Sequence, residues 1–416
     1  MKSQVGIKQF LIMILFHTFF GYIWNTLVFD LSFMNNIISL FFVAIALSFL
    51  FSNRLIRIQW TSLLWIPYLI YTIIGYLFHF EFVYACYWIV CLVLVILGMS
   101  VNSMHFESLF PYKFIWRAGL FCLIGVYFEL LFHGLYDMYI ATLFKTSERI
   151  IAMGHANYGF AGFTYQLDTT AMPIVFALAI FLYINHEKHT NKFQIGIYAL
   201  FFIAVVLTGK RISILLIVVI PLFIYIFSNK IQEKRWRNAL FALAISLLGV
   251  YFVISNAGWL YESSIFHRIG STIINLQKGN DITAGRNVLY EKALEIFSSH
   301  KLFGIGIGKF INYSGANTDV HNVYLQVLCE QGIFGEILFV IPLIMCLLTN
   351  IRRLINVQAD RNKSAYMFTL YVQMVYILYG LTGNLNINLY GYMMYFVSIF
   401  LLETVITREN IGGSFA

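Results

Sequence analysis

Long apolar runs separated by short polar interruptions set the scale of this chain. A bilayer crossing takes roughly 20 mainly apolar residues, and about twelve runs of that order are present. They are centred near Leu15, Phe41, Leu69, Leu92, Leu123, Phe176, Phe201, Val218, Ile245, Phe339, Val372 and Phe396. No small-residue cleavage site follows the first run and a second follows at once, so the first reads as a retained span. The expected fold is an all-α polytopic membrane protein with about twelve transmembrane helices. No low-complexity tract, Pro-rich linker or solenoid-length repeat divides it, so residues 1–416 are expected to form a single integral membrane domain. Two interruptions are long, residues 134–167 and 258–331. The second is too rich in Ile, Leu and Phe for disorder and is expected to fold on the outer membrane surface.

Composition agrees with this picture. Of 416 residues, 60% are hydrophobic and 11% are charged, too few charges for an ordinary water-facing surface. The formal net charge of +8 is explained by orientation. Cytoplasmic loops carry an excess of Lys and Arg, and with the amino terminus inside, 17 of the 27 fall on the inner side, among them Arg54, Arg57, Lys188, Lys230, Arg352, Arg353, Lys363 and Arg408. Both termini are then cytoplasmic, and the charge gives no reason to infer a nucleic-acid partner. All five cysteines, Cys86, Cys91, Cys122, Cys329 and Cys346, lie in or beside apolar runs, which argues against an extracellular disulfide framework or a Cys-rich metal site.

The remaining cations are concentrated at Lys145 with Arg149, at Lys210 with Arg211, and along residues 258–331. In "LTGKRISILL", Lys210 and Arg211 occupy a very short outer turn, where ionisable groups at membrane depth are costly and become functional candidates. The bland alternative is snorkelling toward headgroups. Within "GRNVLYEKALEIFSSHKLFGIGIGKF", which starts at Gly285, the residues Leu289, Ala293, Ile296 and Phe297 share one helical face, and Glu291, Lys292 and Glu295 lie elsewhere. Such a helix is expected to lie in the interface plane. Gly304, Gly306 and Gly308 follow it, and they permit close backbone approach. No βαβ unit precedes them, so a dinucleotide fold is excluded.

Lys210, Arg211, Arg286 and His321 are all expected at loop-to-span junctions on one side. Arginine pairs bidentately with phosphate and keeps its charge, and histidine exchanges a proton near neutral pH. That set suits a diphosphate leaving group and a hydroxyl nucleophile. No outer-side carboxylate cluster is present to hold a divalent metal.

These residues resemble the bacterial O-antigen polymerase and O-antigen ligase family of membrane glycosyltransferases. "TGKR" is similar to the family's short outer-turn motif, whose arginine falls on Arg211. The stretch from Gly285 is similar to its long-loop motif, whose arginine falls on Arg286. "HNVYLQVLCEQGIFG" is similar to its H-N, nine residues, G-x-x-G pattern, with His321, Asn322, Gly332 and Gly335 in place. The matching stretches run over residues 207–339. Two departures are Lys210, where a small residue is common, and residues 148–168, which match only loosely and leave Arg149, His155 and Asp168 without assigned roles.

The resemblance implies a metal-independent, GT-C-like glycosyltransferase without cofactor, working at the outer face of the bacterial cytoplasmic membrane. Its partners would be undecaprenyl-diphosphate-linked oligosaccharide donor and acceptor, membrane lipids and a chain-length regulator protein. By that resemblance Arg211, Arg286 and His321 are the catalytic candidates, and Lys210, Asn322, Tyr324, Gly306 and Gly308 would contact diphosphate or glycan. A polymerase joins repeat units, and a ligase transfers the glycan to lipid A core or another acceptor. A reading from a different class, a lipid-linked oligosaccharide flippase or transporter, would call for ionisable residues deep in several spans and internal symmetry. The distinctive polar residues here, Glu129 and Glu336 included, lie at outer ends of spans.

Overall fold

The structure, a computed structural model, describes residues 2–27, 32–52, 60–79, 82–100, 111–145, 159–164, 166–184, 191–227, 254–263, 266–280, 283, 285–357, 360–384 and 389–412. These residues are helical and include no β-strand; Leu27 and Phe144 form an isolated antiparallel bridge. In chain order the helices are α1 (Lys2–Thr26), α2 (Ser32–Ser52), α3 (Trp60–Phe78), α4 (Phe82–Ser100) and α5 (Tyr112–Leu131). After three short helical turns between His133 and Leu143 come α6 (Leu167–Tyr183), α7 (Asn191–Leu207) and α8 (Arg211–Phe227). Then follow α9 (Ala257–Glu262), α10 (His267–Gln277), α11 (Arg286–Ser299), α12 (Phe310–Ser314), α13 (Val323–Asn356), α14 (Asp360–Tyr379) and α15 (Leu389–Gly412).

Each expected run centre lies within a helix except Ile245, which falls outside the described residues together with Arg54, Arg57, Arg149, His155, Lys188 and Lys230. Among the described residues, three helices are long and apolar enough to cross a membrane by length and composition, Tyr112–Leu131, Val323–Asn356 and Leu389–Asn410. Six shorter apolar helices accompany them, and the chain is a membrane protein. All five cysteines are free and buried.

The chain divides into two compact units. The first comprises Met1–Gly21, Leu31–Pro111 and Arg286–Ala416, and the second Tyr22–Asp30 and Tyr112–Gly285. In the first, α15 is almost wholly buried and its aromatic side chains build the core. Trp88 and Tyr392 meet edge to face at 4.4 Å, as do Trp65 and Phe396 at 5.0 Å. Such contacts add to the gain from area burial, so these aromatic side chains serve packing. α13 and α14 run antiparallel. At one end Glu409 accepts hydrogen bonds from Tyr366 (2.8 Å) and Asn362 (3.0 Å) and lies 3.5 Å from Arg353. At the other end the Val323 amide donates to the Gly380 carbonyl at 2.8 Å.

In the second unit α5 packs on α6 so closely that a Cβ at Gly119 would strike Ala177 and the Pro173 carbonyl. The loop before α6 is tied to α5, because the Gly162 amide donates to Glu129 at 2.6 Å and the Tyr136 hydroxyl donates to the Gly162 carbonyl at 2.7 Å. Burial holds the Tyr136 hydroxyl well above its ordinary pKa, so it remains a donor.

Candidate functional site

α13 is broken within its first turns. Gly332 has φ 67° and ψ −169°, a conformation closed to side-chain-bearing residues. A break frees carbonyls on one side and amides on the other, and residues 301–306 cross it to satisfy both. Ile305 and Gly306 amides donate to the Cys329 and Glu330 carbonyls at 3.1 and 2.8 Å, and the Ile333 amide donates to the Lys301 carbonyl at 2.9 Å. A Cβ at Gly332 would collide with the Leu302 carbonyl, and one at Gly304 with the Glu330 carbonyl. One glycine of each motif, Gly304 and Gly332, is therefore required by this crossing.

Glu330, 4% exposed, shapes the glycine turn. Its carboxylate accepts from the amides of Gly308 and Phe310, each at 3.0 Å, and from Gln326 Nε2 at 2.6 Å. Gln326 Oε1 in turn accepts from the Val320 amide at 2.9 Å. Beside them burial raises the Asp319 carboxyl above its usual range. The amides of Gly306 and Gly308 are thus engaged within the chain, and what these residues present outward is shape. A Cβ at Gly306 would strike the His79 ring, which brings the end of α3 to this turn.

α11 forms where the spacing predicts a helix, with Ala293 and Ile296 buried and Leu289 packed beside them. Its apolar face is covered by Phe310, Val320 and Cys329 of the same unit, because the turn after it folds back beneath it. Arg286, the first residue of α11, donates from Nη1 to the Thr382 carbonyl at 2.7 Å.

His321 and Asn322 precede α13. Asn322 caps the helix, its Oδ1 accepting from the amides of Tyr324 (3.0 Å) and Leu325 (3.1 Å). Its Nδ2 donates to the Leu381 carbonyl at 3.2 Å. His321 is half-buried and takes a left-handed φ of 56°, which costs a non-glycine residue about 1 kcal/mol. Its Nε2 lies 3.2 Å from Thr318 Oγ1. The Tyr324 hydroxyl donates to the Ile377 carbonyl at 2.8 Å, so its polar end braces two helices.

The second unit holds the other two candidates. The Lys210 ammonium is 2.7 Å from the Asp168 carboxylate, and exposed Arg211 donates from Nη1 to Thr272 Oγ1 at 3.4 Å. Gly209, at φ 66°, turns the chain between α7 and α8. The Gly159 backbone lies so close to the Thr208–Gly209 main chain that a Cβ there would collide with it.

The first unit thus gathers Arg286, Gly306, Gly308, His321, Asn322 and Tyr324 around α11, the start of α13 and the end of α14, while Lys210 and Arg211 share one turn of the second. Residues 196–340 match the family described as O-antigen ligase. All eight candidates lie inside that match, and the resemblance drawn from the three stretches is supported by it. No curated relative matches the chain. The O-antigen ligase match ends before α14, so the carbonyls that receive Arg286 and Asn322 lie beyond it. Sequence reasoning passed over these, along with Glu330 and His79.

Proposed function

We propose that the chain is a polysaccharide polymerase of the bacterial cytoplasmic membrane, with about twelve spans, both termini inside and its site on the outer face. The family match supports a membrane glycosyl-transfer enzyme. Within that activity, the proposed reaction joins undecaprenyl-diphosphate-linked repeat units. The observation that carries it is the anchoring of Arg286 and Asn322 on adjacent carbonyls of one turn.

In the proposed reaction the acceptor sugar hydroxyl attacks the anomeric carbon of the donor. The bond from that carbon to the diphosphate oxygen breaks, and undecaprenyl diphosphate leaves with the electron pair. Arg286 spends one of its five N–H donors on Thr382 and turns the rest to the departing phosphates. His321 takes the hydroxyl proton. Charge stabilisation by arginine makes the transfer metal-independent. Arg211 carries the corresponding expectation from the outer-turn motif.

A second reading, ligase, is favoured by the description of the matched family itself. Purified protein is incubated with synthetic undecaprenyl-diphosphate repeat units in a metal chelator, and glycan length is read on a gel. A ladder that Arg286→Ala removes is expected. Transfer occurring solely when lipid A core or another acceptor is supplied would make the chain a ligase, and no transfer to any acceptor would favour a transporter.

A further inference from the structure

The end of α14 and the turn after it, "YGLTG" at residues 379–383, contribute no side chain to the chemistry proposed above, yet three parts of the site are fastened to them. The Gly380 carbonyl accepts from the Val323 amide, the Leu381 carbonyl from Asn322 Nδ2 and the Thr382 carbonyl from Arg286 Nη1. Consecutive carbonyls therefore receive the residues that follow His321 and the arginine of the long-loop motif. The turn is itself closed by main-chain bonds from Leu381 to Leu378 (3.3 Å) and from Thr382 to Tyr379 (3.0 Å).

We propose that residues 380–382 are positioning residues that fix the offset between the donor-holding guanidinium of Arg286 and the imidazole of His321. This rests on the functional reading above. A helix end whose carbonyls are already capped has little freedom to move, so both arms are held before substrate arrives. Rigidity of this kind matters because a displacement of about 1 Å in a reacting group costs about a hundredfold in rate. Gly380 lets the histidine arm come close, and Gly383 lets the turn fold against its own tyrosine. A Cβ on Gly380 would lie 2.7 Å from Val323 Cγ1, on the histidine arm, and one on Gly383 would strike the ring of buried Tyr379, beside the carbonyl that receives Arg286.

The test separates the arms. Gly380→Ala, Gly383→Ala and the pair Gly380→Ala/Val323→Ala are purified in detergent and assayed for transfer from a lipid-diphosphate repeat unit with the parent protein alongside. Gly380→Ala is expected to lower kcat about a hundredfold with the donor KM within about threefold, since it moves the histidine arm alone. Gly383→Ala is expected to raise the donor KM about tenfold or more, because it displaces the carbonyl that orients Arg286. Removing Val323 Cγ1 in the pair is expected to restore at least about a tenth of parental kcat.

Equal loss of both parameters in Gly380→Ala and Gly383→Ala, or no recovery in the pair, would overturn the proposal and leave a merely structural turn. If Gly380→Ala fails to fold, the pair alone decides, through parental donor KM with partly recovered kcat for or failure of both against. An inactive parent with every acceptor would instead overturn the functional reading beneath it.

Discussion

Arg286 and Lys210 both stand at the entrance to a helix within the segment that matches O-antigen ligase, but their charges are held differently. Arg286 donates to a neutral main-chain carbonyl, whereas Lys210 sits 2.7 Å from a carboxylate. A phosphate arriving at Arg286 competes with a dipole, and one arriving at Lys210 competes with a full negative charge. Residue type alone does not reveal this. The carboxylates differ likewise, since Glu330 is buried under three donors and Asp168 is 31% exposed beside one lysine.

The most forceful way to break the comparison is to delete each cation. Arg286→Ala is expected to lower transfer about 10²–10³-fold, the scale seen when one preorganised donor is taken from a developing anion. Lys210→Met should cost less than about tenfold, because much of its field is already spent on Asp168. Transfer rates with a synthetic lipid-diphosphate donor decide it, and equal losses would make the two turns equivalent.

The carboxylates sharpen the same contrast through stability. Glu330→Ala strands the amides of Gly308 and Phe310 and the Gln326 amide group inside the protein, and unpaired buried donors cost about 1–3 kcal/mol each before relaxation. A net loss of about 3 kcal/mol is expected, read as the unfolding midpoint in detergent. Asp168→Ala should shift the midpoint far less, and a comparable shift in both would show that the half-buried pair is as structural as the buried one.

Why Glu330 escaped the sequence while α11 did not is a matter of range. The α11 face repeats within four residues, so periodicity shows it, and the H-N and G-x-x-G elements lie in one stretch. Two of the three partners of Glu330 are main-chain amides 22 and 20 residues upstream, and main-chain groups leave no mark on sequence. Arg286 meets Thr382 across 96 residues, through a carbonyl that any residue could supply. The apolar runs were legible for the opposite reason, because hydropathy is local. Which residues cover the α11 face was not legible, since an amphipathic face records that something covers it, not whether lipid or protein does.

The cap on α13 offers a smaller effect. Asn322→Ala removes the acceptor of the Tyr324 and Leu325 amides and should destabilise the protein by about 1 kcal/mol. Asn322→Ser keeps the cap and should recover most of that stability, yet it cannot span to the Leu381 carbonyl. If the serine variant regains stability and not transfer, the bond to α14 matters to the site beyond capping, as the contrast between a braced and an exposed turn requires.

The weakest expected signal tests the half-buried pair directly. Lys210 and Asp168 side chains are 18% and 31% exposed, so solvent and ions screen their attraction, and a coupling of about 0.5–1 kcal/mol is expected from the double-mutant cycle of Lys210→Met and Asp168→Asn. The coupling should shrink as salt rises, since the Debye length falls to about 3 Å at 1 M. A coupling above about 2 kcal/mol that ignores salt would mean the pair is desolvated in the folded protein. Lys210 would then be as firmly committed to structure as Glu330, and the outer turn would have Arg211 as its cation for a phosphate.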